Sequence, residues 1–388
     1  MSAVPHRPCC GPIHAAGTRG RGCNRLPIHA PAHRLIRVTT STDTSPDPDL
    51  APRDLWRGAF AFVMATGIVS TAILNNGAHI VAAVMFTVAN VTYFTLTVRV
   101  LFRWEHHRAA GDGGFMTLTF VAASGVLGAH YAFLDLRIAA LAFVVIAIAS
   151  WVILGYTVTA RTVAAAANAK RGSFTDELSQ VDGTWFLWVV STQSVAVVCG
   201  AYATHFGSHG LATFAALCWS VGVVKFGLIA SLEFSRLMLH RLAPRETVAP
   251  YWIFMGSAAI TVLAGAQILG LSSEQSLLEP DVVATVSMVL WSFSTWLVPL
   301  LIVLFVWQLS RRPGVPRFRT AWWSMVFPIG MYGEASRQLG TIHGTGWLAD
   351  VGRWEAWFAL VIWALTCTVL LTQLAASHRA ARSRTMHA

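Results

Sequence analysis

The chain has 388 residues, 55% of them hydrophobic and only 12% charged, with 28 Lys/Arg, 18 Asp/Glu and a formal net charge of +10. A soluble domain carries about twice that charged fraction. Apolar runs long enough to cross the hydrocarbon core of a bilayer recur from residue 58 to residue 376, which excludes a soluble globular fold and indicates a polytopic membrane protein.

In chain order, residues 1–52 come first, rich in Arg, His, Pro, Ser and Thr and without the apolar stretch of a signal peptide. They read as a disordered basic tail, or as an over-extended start. Ten spans follow, near 57–75, 78–102, 115–134, 136–160, 183–204, 210–238, 248–270, 280–308, 320–340 and 353–376. They must be helices, because an unclosed sheet cannot satisfy its backbone in lipid. Residues 53–376 thus form one transmembrane domain of five consecutive helical hairpins, and 377–388 a short basic C-terminal tail. Charge placement supports the count. If the spans alternate, 24 of the 28 Lys/Arg fall on one side, with only Arg137, Arg337 and Arg353 opposite and Lys225 inside the sixth span. The positive-inside rule then puts both termini in the cytoplasm. The net charge follows from topology and contact with anionic lipid, and gives no reason to expect a nucleic-acid partner.

The connections are short and hold no soluble domain. The longest, near 161–182, has neither a GxxxxGK[ST] nor a GxGxxG pattern, which argues against ATP-driven pumping by this chain alone. Six cysteines are spread over the tail and the spans with no CxxC or Cys/His metal spacing, so no metal site is expected. No pair of intramembrane histidines is available for a haem, and no other cofactor is implied. A convergent catalytic set of His, Cys or carboxylate is missing as well, so the chain does not read as an enzyme.

The odd-numbered spans carry small and hydroxyl residues at their centres. The first, FAFVMATGIVSTAILNN, sets Gly67 among Thr66, Ser70 and Thr71. The third, AASGVLGAH, holds Ser124, Gly125, Gly128 and His130, a lone histidine of the kind that usually packs against a satisfied partner. The fifth, DGTWFLWVVSTQSVAVV, has Ser191, Thr192, Gln193 and Ser194 in a row, and the seventh, YWIFMGSAAITVLAGAQIL, has Gly256, Gly265 and Gln267. In the ninth, WWSMVFPIGMYGEASRQLG, Pro328 removes the partner of the Ser324 carbonyl, and Gly330 and Gly333 thin the helix beyond it. Phe327, Gly330, Met331, Glu334 and Gln338 share one face at helical spacing. Such residues either line a passage or let helices pack closely. The even-numbered spans are not free of them, with Gly155, Gly222, Gly227 and Pro299.

Four of these segments, MATGIVS, WVVSTQSVAV, PYWIFMGSAAITVLAGAQIL and AWWSMVFPIGMY, together resemble the tellurite-resistance/dicarboxylate transporter family. That family includes slow anion channels, malate permeases and sulfite exporters. The resemblance covers residues 53–376. It implies an all-α bundle of ten helices, in five hairpins around a central pore with the odd-numbered helices inside, and a homotrimer in the cytoplasmic membrane. It also implies a small anionic substrate, such as malate or another C4-dicarboxylate, chloride, nitrate, sulfite or a tellurite-related oxyanion. The family's gating phenylalanine on the ninth helix matches Phe327. The pore is then expected to be shaped or lined by Gly67, Thr66, Ser70, Gly125, Thr192, Gln193, Gly265, Pro328 and Gly330. Three charges bear on it. Arg337 either draws anions inward or pairs with Glu334 three residues earlier. Glu334 would repel an anion unless paired or protonated, which leaves a proton-coupled carrier open. Lys225, on an even-numbered helix, is expected in a salt bridge or a subunit contact rather than on substrate.

Overall fold

A computed structural model describes residues 59–102, 114–168, 178, 181–239, 248–311, 318 and 320–386. Residues 1–52 and most of the arginine-bearing connections lie outside these. The described residues form ten α-helices and no strand. They are α1 (Ala59–Asn75), α2 (His79–Phe102), α3 (Thr119–Phe133), α4 (Arg137–Asn168), α5 (Leu187–Phe206), α6 (His209–Leu239), α7 (Trp252–Leu269), α8 (Pro280–Arg311), α9 (Trp323–Ile342) and α10 (Gly346–Met386). Each matches one expected span. The largest differences are at α4, which runs on to Asn168, and α10, which begins at Gly346 and continues through the segment read as a C-terminal tail. Beyond Gly352, α10 meets no glycine or proline, and its Ala, Leu, Gln and Arg are strong helix formers, so nothing in the chain stops it at the membrane edge.

The helices pair as five hairpins, each odd-numbered helix against the even-numbered one that follows. The odd helices also pack on one another in the order α1, α3, α5, α7, α9, and α9 returns to α1, closing a ring of five. At one end of the bundle, α3, α5, α7 and α9 are each entered through a turn of 3₁₀ helix: Gly114–Leu118, Gly183–Phe186, Ala249–Tyr251 and Thr320–Trp322. At the other end the hairpins turn tightly. Gly77, Gly207 and Gly344 adopt positive φ there, as does Asp135 at φ 57°. Glycine tolerates this left-handed backbone, and aspartate is among the few other residues that do.

Burial separates the rings. In the most apolar stretch of α5 and of α7, 94% of residues are buried, against 22% in α2 and α8 and 11% in α10. The even helices turn residues such as Ile80, Val91, Ile138, Val224, Val303 and Val361 outward, an apolar surface suited to lipid. Eight of the helices have the length and hydropathy to cross a membrane. The other two, α1 and α9, are both odd-numbered and enclosed. An enclosed helix need not match the apolarity of lipid, so α9 can hold Glu334, Ser336 and Gln338 at membrane depth.

Candidate functional site

A cavity lies on the axis of the ring, from the middle of the odd helices toward their C-terminal ends. All five contribute to its wall: Ile68 and Thr71 of α1, Gly125, Val126, Ala129 and Phe133 of α3, Ser194 and Val197 of α5, Ile260, Leu263 and Gln267 of α7, and Met331, Glu334 and Gln338 of α9. Its volume is about 20 Å³, room for a single water molecule. One turn along α9 toward its N-terminus from Met331, on the same face, stands Phe327, with none of its surface exposed. Met64, Val121, Val190 and Ile253, in the N-terminal halves of the other four odd helices, are likewise fully enclosed. Met64, Val121 and Val190 each lie one turn, and Ile253 two turns, before a wall residue of the same helix, Ile68, Gly125, Ser194 and Ile260 respectively.

The helices can approach the axis because small residues stand where they touch. A Cβ on Gly125 of α3 would come within 2.7 Å of the Ser194 carbonyl oxygen of α5. On Gly256 of α7 it would meet the Pro328 ring of α9 at 2.7 Å, and on Gly330 of α9 it would meet Val69 of α1 at 3.0 Å. Gly67 lies against Val126 of α3 in the same way. Gly265 instead faces outward, toward Ser287 of α8 and Trp219 of α6. Pro328 lies within α9, which continues as one helix from Trp323 to Ile342.

The four polar residues expected to line the passage all bond away from the axis. Thr66 accepts from the Trp363 indole of α10 at 2.9 Å, and Ser70 donates to the Ala82 carbonyl of α2 at 2.8 Å. Gln193 donates to the Trp219 carbonyl of α6 at 3.2 Å. Thr192 accepts from the Trp151 indole of α4 and from the Lys225 ammonium of α6, each at 3.0 Å. In this structure they tie the inner ring to the outer one. The polar residues on the cavity wall are others: Thr71, Ser194, Gln267, Glu334 and Gln338. Helical spacing had already grouped Met331, Glu334 and Gln338 on the Phe327 face. Asn75, which reaches Glu334 from the end of α1, carried no signal beyond lying one turn past Thr71.

The three charges have definite settings. The Arg337 fork grips Glu334, Nε to Oε2 at 3.1 Å and Nη2 to Oε1 at 2.7 Å. Oε1 also accepts from Asn75 at 2.8 Å and from Gln338 at 2.6 Å, and the Gln338 oxygen accepts from Gln267. Glu334 is 1% exposed. Of the two settings expected for Lys225, the salt bridge is not made among the described residues. Its ammonium lies 4.5 Å from the Trp188 ring centre and 5.7 Å from that of Trp151, and it donates to Thr192. Aromatic faces and one hydroxyl can offset part of an ammonium's desolvation where no carboxylate is near. His130 shares a 2.8 Å hydrogen bond with Thr71 and stacks on Phe86, as befits a packed histidine. Among the described residues no group of His, Cys, Asp and Glu is arranged to hold a metal ion.

Comparison with known proteins places the chain among transporters. The family model described as a voltage-dependent anion channel (SLAC1) matches residues 57–372. An uncharacterized membrane protein of Mycobacterium tuberculosis is 37% identical over 150 residues, which is 38% of this chain and 76% of that protein. An uncharacterized transporter of Methanocaldococcus jannaschii is 22% identical over 150 residues, 38% of this chain and 42% of its own length. A sulfite efflux pump of Arthroderma benhamiae is 23% identical over 207 residues, 49% of this chain and 53% of its own.

Proposed function

The chain belongs to the voltage-dependent anion channel family, and from that premise we propose that each subunit conducts small anions along its own axis, with Phe327 as the gate. The observation that carries this is the cavity walled by all five inner helices, with the fully buried Phe327 one turn from its wall residue Met331 on the same face of α9. An ion in bare hydrocarbon faces a penalty of tens of kcal/mol. A passage must therefore supply polar groups, and Thr71, Ser194, Gln267 and Gln338 are the uncharged ones on the wall. A hydrophobic constriction then gates by steric block and dewetting, and rotation of one ring is enough to alter it. Substrates are small inorganic anions, sulfite, or C4-dicarboxylates such as malate. The sulfite efflux pump among the relatives supports an oxyanion. The subunits assemble as homotrimers in the cytoplasmic membrane with both termini inside. Protein reconstituted in liposomes is expected to pass at least one of chloride, nitrate, sulfite and malate, and Phe327→Ala to raise the flux. No flux for any of them, or an active protein that the substitution leaves unchanged, overturns the assignment.

One observation favours a second reading, a proton-coupled carrier: among the described residues, Glu334 is the only ionisable side chain on the cavity wall. If that reading holds, Glu334→Gln abolishes the pH dependence of transport while sparing transport itself.

A further inference from the structure

We propose that Arg337, Asn75 and Gln338 form an oxyanion site at the mouth of the pathway, whose occupant in this structure is the chain's own Glu334 carboxylate. A transported carboxylate or oxyanion takes the site by displacing it. This rests on the anion pathway proposed above.

The geometry of the occupant describes what the site accepts. Two oxygens meet the guanidinium fork side-on, and one of them takes two further amide donors, from Asn75 and Gln338. Donors from α1 and α9 thus serve one carboxylate oxygen, and Gln267 of α7 orients one of them by donating to the Gln338 oxygen. A planar group with two oxygens on one edge, as in a carboxylate or nitrate, satisfies such a fork, and a halide satisfies only part of it. The site also lies at a boundary. Asn75 is exposed and the Arg337 side chain is 22% exposed, whereas Glu334 and Gln338 belong to the cavity wall. Arg337 is not part of that wall. An anion in the cavity therefore meets a carboxylate, with the arginine's charge already neutralised behind it. An intramolecular occupant has a high effective concentration, so the site keeps substrate affinity low until Glu334 is removed or moved aside.

The test measures anion-dependent thermal stabilisation in detergent, and flux against concentration in liposomes, with nitrate, malate and chloride. Glu334→Ala vacates the site, and Glu334→Gln keeps an acceptor for the neighbouring donors should the alanine variant fail to fold. Both are expected to lower the half-saturating concentration for nitrate and malate, by about tenfold, the equivalent of one charge-assisted hydrogen bond regained. Chloride should gain less. Adding Arg337→Gln to either variant should cancel the gain. Glu355→Gln, which neutralises a carboxylate packed by Gly333 away from the cavity wall, should not reproduce it. A folded Glu334 variant with unchanged half-saturation and unchanged thermal stabilisation overturns the site, even if wild-type protein conducts. Wild-type protein that passes no anion overturns the pathway instead, and the stabilisation measurement still decides whether the site binds.

Discussion

A threonine hydroxyl has one proton to donate and two lone pairs with which to accept, and Thr192 uses all three. It donates to the Trp188 carbonyl and accepts from the Trp151 indole and the Lys225 ammonium. Nothing is left to offer an anion. Removing the hydroxyl would leave an indole and a half-buried ammonium without their acceptor, a loss of about 1–3 kcal/mol. Thr192→Val is therefore expected to lower thermal stability in detergent and to leave relative anion permeabilities unchanged. Altered permeability ratios at wild-type stability would put Thr192 on the pathway after all. The sequence could not separate the two roles, because α5 is enclosed on every side. Apolar and polar residues alternate around it without a lipid face to set the phase, and a hydroxyl aimed at the outer ring looks the same as one aimed at the axis. The ninth span was more legible. Its Phe327, Met331, Glu334 and Gln338 are of mixed chemistry at helical spacing, and a face holding a ring, a carboxylate and an amide at membrane depth must turn away from lipid, toward protein or a polar cavity.

At the scale of elements, the number of helices was legible because lipid imposes a minimum length on each span and the arginines mark every second connection. Their arrangement in two rings was less so. Glycines occur in both sets, and only the structure separates those at inner contacts from those that meet nothing, such as Gly155 and Gly227. The contact between α7 and α9 shows what an inner glycine does. Gly256 lies against the Pro328 ring, which cannot swing aside as a long side chain would. Gly256→Val must push α9 away from α7 at Pro328, directly after Phe327, the residue proposed as the gate. Overpacking of this kind costs about 1–3 kcal/mol. The variant is expected to unfold at lower temperature and to show altered flux in liposomes, whereas Gly227→Val, with open space around it, should show neither. If both behave as wild type, the α7–α9 contact has no bearing on the proposed gate.

For the whole molecule, the ring closes because α9 packs back on α1, and every inner helix runs the same way through the bilayer. One end of the bundle therefore collects the 3₁₀ entries and the C-terminal ends of the even helices, and the other collects the tight hairpin turns with the cavity nearer to it. The two ends differ in charge among the described residues, with Arg99, Arg161, Arg236, Arg311 and Arg379 in the C-terminal parts of the even helices toward the first and Arg137, Arg337 and Arg353 toward the second. A juxtamembrane Lys or Arg near an anionic inner leaflet contributes about 1 kcal/mol, so this imbalance leaves a single orientation favoured. The oxyanion site at the end of α9 would then face outward. Impermeant thiol reagent added to intact cells is expected to modify a cysteine at Ser208, in the α5–α6 turn, and to modify one at Ser383 only after the cells are opened. The wild-type chain, whose Cys199 and Cys218 are buried, gives the background. The reverse labelling pattern would invert the molecule, and the site built on Arg337 would then bind anions from the cytoplasm.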